Sequence, residues 1–127
     1  MYEYNINEVL KIVDGDTVDI LIDVGFDMLR KERVRLNRID TPESSSKDIT
    51  EKQLGLEAKE YLTNWFKKNK KLRIKTTKDD KYGRILGDIF NESGDCINDL
   101  LIEKGYAWSY DGGTKTKDLN ILLEKRK

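Results

Sequence analysis

Apolar and polar residues alternate along the first third of the chain, a pattern typical of β-strands. The alternation runs over residues 7–13, 17–24 and 29–39, and Asp14-Gly15 separates the first two segments. An Asp-Gly pair between two alternating segments predicts a β-hairpin. We therefore expect three strands with short connections, most simply as an antiparallel meander.

The alternation gives way to helical spacing in the middle of the chain. A loop is predicted over residues 42–53, and a helix from about residue 54 to residue 69. Trp65, on the apolar face of this helix, is expected in the core. The face is formed by Leu54, Ala58, Tyr61, Leu62, Trp65 and Phe66.

The remaining pattern predicts two more strands and two more helices. The strands cover residues 71–77 and 85–91, and a helix over residues 97–104 ends at Gly105. Thr116 is the predicted N-cap of the last helix. That helix carries Leu119, Leu122 and Leu123.

This order of elements predicts the α+β class, and it matches a five-stranded antiparallel OB-fold barrel with three helices. OB-folds bind oligonucleotides on one face of the barrel. With 127 residues, a single domain over residues 1–127 is expected. We expect a monomer.

Composition narrows the class of protein. The mean hydropathy is −0.72, and no apolar stretch approaches the length that crosses a membrane. The first ten residues contain two glutamates and no basic segment, unlike a secretory signal. We expect a soluble protein with no membrane contact, cytoplasmic unless a leader has been removed.

The net charge of zero hides a strong segregation of charge. Residues 67–84 hold nine basic and two acidic residues, and residues 30–38 hold five basic and one acidic residue. Two concentrated basic segments in a neutral chain favour a local anionic partner. A solvated lysine-rich face is the simpler interpretation for residues 67–71 alone.

Missing residue types exclude several kinds of chemistry. The chain has no histidine, which excludes histidine bases, Ser-His-Asp triads and histidine-bound zinc. Cys96 is the only cysteine, so no intrachain disulfide can form, and we interpret it as a small, half-buried residue. An enzyme built from this chain depends on carboxylates, Arg, Lys, Tyr and an oxygen-seeking metal.

Three carboxylates occur at predicted turns. Asp16 follows Asp14-Gly15, and Asp40 and Glu43 flank Pro42, which stiffens the end of the third strand. Together they predict an oxygen-rich cage suited to Ca²⁺, Mg²⁺ or Mn²⁺. The alternative is that these aspartates only form turns.

Two arginines accompany the carboxylates. Arg35 lies in the third predicted strand, and Arg84 ends the turn that contains Lys81 and Tyr82. A guanidinium can bind two phosphate oxygens at once, and an adjacent lysine and aromatic ring suit a phosphate and a stacked base. The alternatives are a surface turn residue for Arg84 and a strand salt bridge for Arg35.

These motifs resemble the staphylococcal nuclease (thermonuclease) family. The similar segments follow the same order over nearly the whole chain. They are Val13-Asp14-Gly15-Asp16-Thr17-Val18, Val34-Arg35-Leu36 with Ile39-Asp40-Thr41-Pro42-Glu43, Asp80-Lys81-Tyr82-Gly83-Arg84 and, more weakly, Gly105-Tyr106-Ala107.

The resemblance implies a Ca²⁺-dependent nuclease that cuts DNA and RNA, with single strands preferred, and leaves 3′-phosphates. Asp16 and Asp40 would supply carboxylate ligands to Ca²⁺, and Thr41 a backbone carbonyl. Glu43 would orient or deprotonate the attacking water. Asp14 would lie near the metal without being a main ligand.

The resemblance also implies the residues that bind substrate. Arg35 and Arg84 would bind the scissile phosphate and stabilise the transition state. Lys81 and Tyr82 would contact a terminal phosphate, and Tyr110 would stack on a base. Two alternatives stay open at this point: a catalytically silent nucleic-acid- or protein-binding module on the same fold, and a metal-free OB-fold that binds single strands.

Overall fold

The structure is a computed structural model that describes residues 2–79, 85–111 and 117–127. None of the helices in these ranges is both long and apolar enough to cross a membrane. The elements, in chain order, are β1 (Tyr2–Asp14), β2 (Thr17–Asp23), β3 (Leu29–Leu36), β4 (Ile39–Asp40), α1 (Ile49–Lys68), β5 (Leu72–Asp79), β6 (Ile85–Phe90), α2 (Ile97–Glu103), β7 (Trp108–Ser109) and α3 (Leu119–Lys125).

Five strands close into a barrel in the order β1-β2-β3-β6-β5, which confirms the predicted barrel with three helices. The expectation that all pairs are antiparallel was wrong, because β3 and β6 run parallel, with Val34 opposite Ile85. The reason is geometric: a closed ring with an odd number of strands cannot alternate direction at every step.

The first strand is longer and more irregular than predicted. It begins at Tyr2, pairs with β5 through residues 2–6, and pairs with β2 along its length. The pairing with β2 shifts register between Ile6 and Glu8, between Val9 and Lys11, and between Ile12 and Asp14. Such bulges bend a strand, which allows β1 to curve and to pair with both β2 and β5 in a small barrel.

Two other predicted boundaries differ from the structure. The third predicted strand breaks after Leu36, because Arg38 takes a left-handed backbone (φ 68°) before β4 begins. Helix α1 begins at Ile49, not at residue 54, because the Asp48 side chain accepts a hydrogen bond from the backbone N–H of Thr50 (3.0 Å).

The C-terminal elements follow the prediction with two exceptions. Gly105 follows α2 with a φ of 81°, which suits a glycine after a helix. The N-cap of α3 is Asp118 and not Thr116, which lies outside the described residues. Strand β7 was not predicted; it pairs with β4, and Trp108 lies opposite Asp40.

The core lies inside the barrel and beneath α1. The alternating positions of β2 point inward, and the apolar face of α1, including Trp65 (8% exposed), covers the barrel as predicted. Cys96 is buried and precedes α2. The completely buried apolar side chains include Val18, Ile20, Val34, Ile39, Leu62, Ile74, Ile89, Ile97 and Leu101.

A buried asparagine joins three segments of this core. Asn98 is fully buried, and its amide donates to the carbonyls of Asn37 (2.9 Å) and Gly87 (3.1 Å). Its carbonyl oxygen accepts from the backbone N–H of Ile89 (3.2 Å). One side chain therefore ties α2 to β6 and to the turn between β3 and β4.

We expect Asn98→Ala to lower the free energy of unfolding by about 2–4 kcal/mol, because the buried Ile89 N–H loses its side-chain acceptor and the Asn37 and Gly87 carbonyls each lose a donor. Urea denaturation measures this change. The control is Asn64→Ala on the exposed side of α1, which should change stability by no more than about 0.5 kcal/mol. A loss below about 1 kcal/mol for Asn98→Ala would contradict the assignment.

Candidate active site

A tight turn between β1 and β2 carries the first two aspartates. Asp14 lies opposite Thr17 in the strand pairing, and its carboxylate accepts a hydrogen bond from the Gly15 N–H (3.0 Å). The Thr17 hydroxyl donates to the Asp16 carboxylate (2.9 Å), and Asp16 is buried. The backbone N–H of Leu36 donates to the Asp16 carbonyl (2.8 Å), which fastens this turn to the end of β3.

The Arg35 guanidinium is the centre of the site. One of its terminal nitrogens lies 3.3 Å from the Asp16 carboxylate and 3.4 Å from the Asp40 carboxylate. Its other terminal nitrogen donates to the Leu36 carbonyl (3.0 Å). Arg35, Asp16 and Asp40 are all buried, so the structure brings three predicted site residues from separate elements into contact.

Helix α1 presses against both turns through its smallest residues. A Cβ atom at Gly55 would lie 2.6 Å from the Pro42 carbonyl oxygen and 2.7 Å from the Ser44 nitrogen. A Cβ atom at Gly15 would lie 2.9 Å from the Cβ of Ala58. The glycines at 15 and 55 therefore allow the helix to support the Asp14–Asp16 turn and the segment that leads to Glu43.

Glu43 projects from this support toward solvent. Its side chain is 60% exposed, and its carboxylate lies 3.5 Å from the ammonium of Lys117. Glu51, in the first turn of α1, accepts a hydrogen bond from the Ser46 hydroxyl (2.8 Å) and a long one from the Glu43 N–H (3.4 Å). The backbone around Glu43 is thus held, while its carboxylate stays accessible.

Asp14 lies beside the buried trio without contacting Arg35 in the described contacts. Burial raises the pKa of Asp14, hydrogen bonds from Ser44 and the Gly15 N–H oppose that rise, and the charge of Asp16 adds to it. Lys59 of α1 opposes the rise in the pKa by its positive charge.

The donor atoms present fit a hard divalent cation. The carboxylates of Asp16 and Asp40 lie against the same nitrogen of Arg35, each through one oxygen, and the buried hydroxyl of Thr41 has no hydrogen-bond partner among the described residues. Oxygen donors of this kind suit Ca²⁺ or Mg²⁺. No group of three or more acidic or cysteine side chains is arranged for a metal within the described ranges, so backbone oxygens and water would complete the coordination.

Of the other predicted site residues, the structure describes Tyr110 only. Tyr110 follows β7, and its backbone N–H donates to the Arg38 carbonyl (2.8 Å), close to the strand that carries Asp40. Its side chain is partly exposed. Arg84, Lys81 and Tyr82 lie outside the described residues, so their roles stay predictions.

Sequence reasoning missed the residues that support the site. Gly55 interrupts an otherwise helical apolar pattern, and an isolated glycine in a helix is a signal of close backbone approach. Asp48 followed by Glu51 is the spacing of a helix start. The contact of Lys117 with Glu43 has no such signal, because it depends on how α3 returns to α1.

A family model of known proteins matches most of this chain. The family model described as staphylococcal nuclease homologue matches residues 33–126. This range includes the second half of β3 with Arg35, the segment with Asp40 and Glu43, and all of α3. It does not include the Asp14–Asp16 turn.

Individual relatives carry several names. Endonuclease YhcR of Bacillus subtilis (strain 168) is 34% identical over 79% of this chain and 8% of its own length. Micrococcal nuclease of Shigella flexneri is 31% identical over 81% of this chain and 57% of its own length. Succinoglycan biosynthesis protein ExoI of Rhizobium meliloti (strain 1021) is 31% identical over 82% of this chain and 52% of its own length. The chain therefore spans only part of each.

We expect Gly55→Ala to lower the free energy of unfolding by about 1–2 kcal/mol. The substitution gains about 1 kcal/mol of helix propensity, but the new methyl group meets backbone atoms and costs more than that gain. Urea denaturation measures the net effect, and amide hydrogen exchange should show weaker protection around residues 43–46.

The control for this prediction is Gln53→Ala, an exposed position in the same helix, which should change stability by less than about 0.5 kcal/mol. A Gly55→Ala protein that is more stable than the wild type, as propensity alone requires, would contradict the close approach.

Proposed function

Because this chain belongs to the staphylococcal nuclease family, we propose that it is a nuclease that hydrolyses the phosphodiester bonds of DNA and RNA. In the full proposal the reaction depends on Ca²⁺, has no sequence specificity, prefers single strands and leaves 3′-phosphates. The observation that carries the proposal is the Arg35 guanidinium, which contacts two buried carboxylates, one of them Asp40, three residues before the exposed Glu43.

Arg35 is suited to hold the scissile phosphate. Its guanidinium is already oriented by the Leu36 carbonyl and by two carboxylates, so it loses little side-chain freedom when a phosphate arrives. Charge that develops on the phosphoryl oxygens in the transition state meets a fixed cation in a largely water-free place. Arg84 would supply the second guanidinium in this proposal.

The cation would be held by Asp16, Asp40 and the backbone carbonyl of Thr41. Ca²⁺ at this position supplies positive charge beside the phosphoryl oxygens. Asp14 would lie behind these ligands. Lys81, Tyr82 and Tyr110 would bind the neighbouring phosphate and base.

Glu43 would act on water. Its exposed carboxylate can orient a water molecule, or accept its proton, on the side of the phosphorus opposite the 5′ oxygen. The water oxygen bonds to phosphorus, the bond from phosphorus to the 5′ oxygen breaks, and that oxygen leaves as a hydroxyl with a solvent proton. The phosphate stays on the 3′ oxygen.

The first test is digestion of heat-denatured DNA and of RNA, with Ca²⁺ or with EDTA. We expect cleavage with Ca²⁺ and none with EDTA. Glu43→Ser should lower kcat by about 10²–10⁴-fold, because the water loses its carboxylate. The matched control is Glu60→Ser, an exposed carboxylate of α1, which should keep wild-type kcat.

Absence of cleavage with either substrate would overturn the nuclease proposal. Retained binding of nucleic acid in that experiment would favour the catalytically silent module, and Ca²⁺-independent binding of single strands would favour the metal-free OB-fold. Cleavage in EDTA would overturn only the requirement for a metal.

Thermal unfolding provides an independent test of the cation site. A ligand that binds only the native state at 100 times its Kd stabilises that state by about 2.7 kcal/mol, so Ca²⁺ should raise the Tm. EDTA should reverse this rise, and Asp40→Asn should abolish it. Glu124→Gln, at an exposed position of α3, is the control and should keep the full rise. An equal rise in both variants would contradict a site at Asp40.

A further inference from the structure

Two neighbouring cavities lie along β1, one beside the C-terminal half of α1 and the other beside the start of β5. Their volumes are about 370 and 430 Å³, and they share Ile6, Lys70 and Leu72 among their lining residues. We call the pair of adjacent cavities the β1–α1 trough. The buried side chains of Ile6, Phe66 and Leu72 form its floor.

The walls of the trough carry an excess of positive charge. Five cations line it against two carboxylates, those of Glu8 and Glu92. Two of the cations are neutralised, Lys71 by Glu92 (3.7 Å) and Arg73 by Glu3. Lys11, Lys67 and Lys70 make no ion pair with any described residue.

The surplus of positive charge in the trough is local, because the net charge of the whole chain is zero. Lys67, Lys70 and Lys11, whose charge also acts on Asp19 of β2, outnumber the one unpaired carboxylate of the lining, Glu8. Such a surplus is complementary to an extended polyanion. The aromatic side chain in the trough, Phe66, is only 7% exposed, so it offers little surface for base stacking. The chemistry therefore matches a phosphate backbone and not the bases.

One end of the trough opens toward the candidate active site. Its lining reaches Ile12 of β1 and Thr63 of α1. Asp14 lies about 7 Å further along the strand, and Lys59 lies one helical turn, about 6 Å, before Thr63. The positive charge of Lys59 opposes the rise in the pKa of Asp14, so the two side chains lie within range of each other's charge.

We infer that the β1–α1 trough binds the sugar–phosphate backbone of the same strand that is cut beside Arg35, several nucleotides from the scissile bond. This inference rests on the proposed nuclease function. Between Ile6 and Ile12 the strand extends about 20 Å, which accommodates up to about six phosphates at the spacing of a stacked strand. The trough therefore favours long substrates over short ones without selecting sequence.

The test compares two triple variants that remove the same charge. Lys11→Gln, Lys67→Gln and Lys70→Gln together change the trough. Lys31→Gln, Lys104→Gln and Lys127→Gln together are the matched control, at exposed positions outside the trough. Both triples are combined with Glu43→Ser, which slows cutting enough for the binding of a single-stranded DNA 20-mer and of a trinucleotide to be measured.

The binding of both oligonucleotides is measured over a series of NaCl concentrations with Ca²⁺ present. The trough triple should weaken binding of the 20-mer at least tenfold at 50 mM salt and reduce the ratio of 20-mer to trinucleotide affinity. Loss of three phosphate contacts should make the slope of log K against log salt less steep by about 2. The control triple should change 20-mer affinity less than threefold.

Three outcomes would overturn the inference. Equal weakening by both triples would mean that only total charge matters, and no weakening by the trough triple would mean that the strand lies elsewhere. Displacement of the 20-mer by polyaspartate at lower concentration than by unlabelled DNA would identify an acidic polypeptide as the ligand. Wild-type cleavage of long DNA separates each of these from failure of the proposed function itself.

Discussion

The site depends on one guanidinium that two carboxylates share. Asp16, in the turn after β1, and Asp40, in β4, are 24 residues apart in the chain, and both are buried against Arg35 at 3.3 and 3.4 Å. Buried charges are costly unless they are paired, and removal of one partner from such a group costs about 3–5 kcal/mol. The turns, the end of β3 and the short β4 must therefore stay in register for the fold to tolerate these charges.

Helix α1 holds these segments in register because it packs against their backbone atoms as well as against their side chains. Gly55 and Ala58 allow it to rest directly on the Pro42–Ser44 segment and on Gly15. The same helix covers the barrel with Leu62, Trp65 and Phe66. Because one rigid element serves the core and both turns, the packing that stabilises the protein also sets the distance between Glu43 and the buried carboxylates.

The pattern of apolar residues predicted the elements whose formation depends on neighbouring residues in the sequence. Alternation in β2 and the Asp14-Gly15 turn predicted the first hairpin, and the apolar face around Trp65 predicted the helix that covers the core. The parallel contact of β3 with β6 and the pairing of β4 with β7 involve residues far apart in sequence, so periodicity carries no signal for them. Motifs likewise predicted Asp16, Arg35 and Asp40 as site residues, whereas Lys117 reaches Glu43 only through tertiary packing.

The concentration of basic residues in two segments of the sequence also bears on the proposed activity, because it concerns how a long substrate is bound. A basic segment attached to a random surface would only raise non-specific attraction, and salt would screen most of it. Here the segment begins at the end of α1, and the bends of β1 place Lys11 across a depression from Lys67 and Lys70. The strand that carries these three irregularities therefore closes the barrel, leads into the Asp14–Asp16 turn, and lines the trough that we propose for a long substrate.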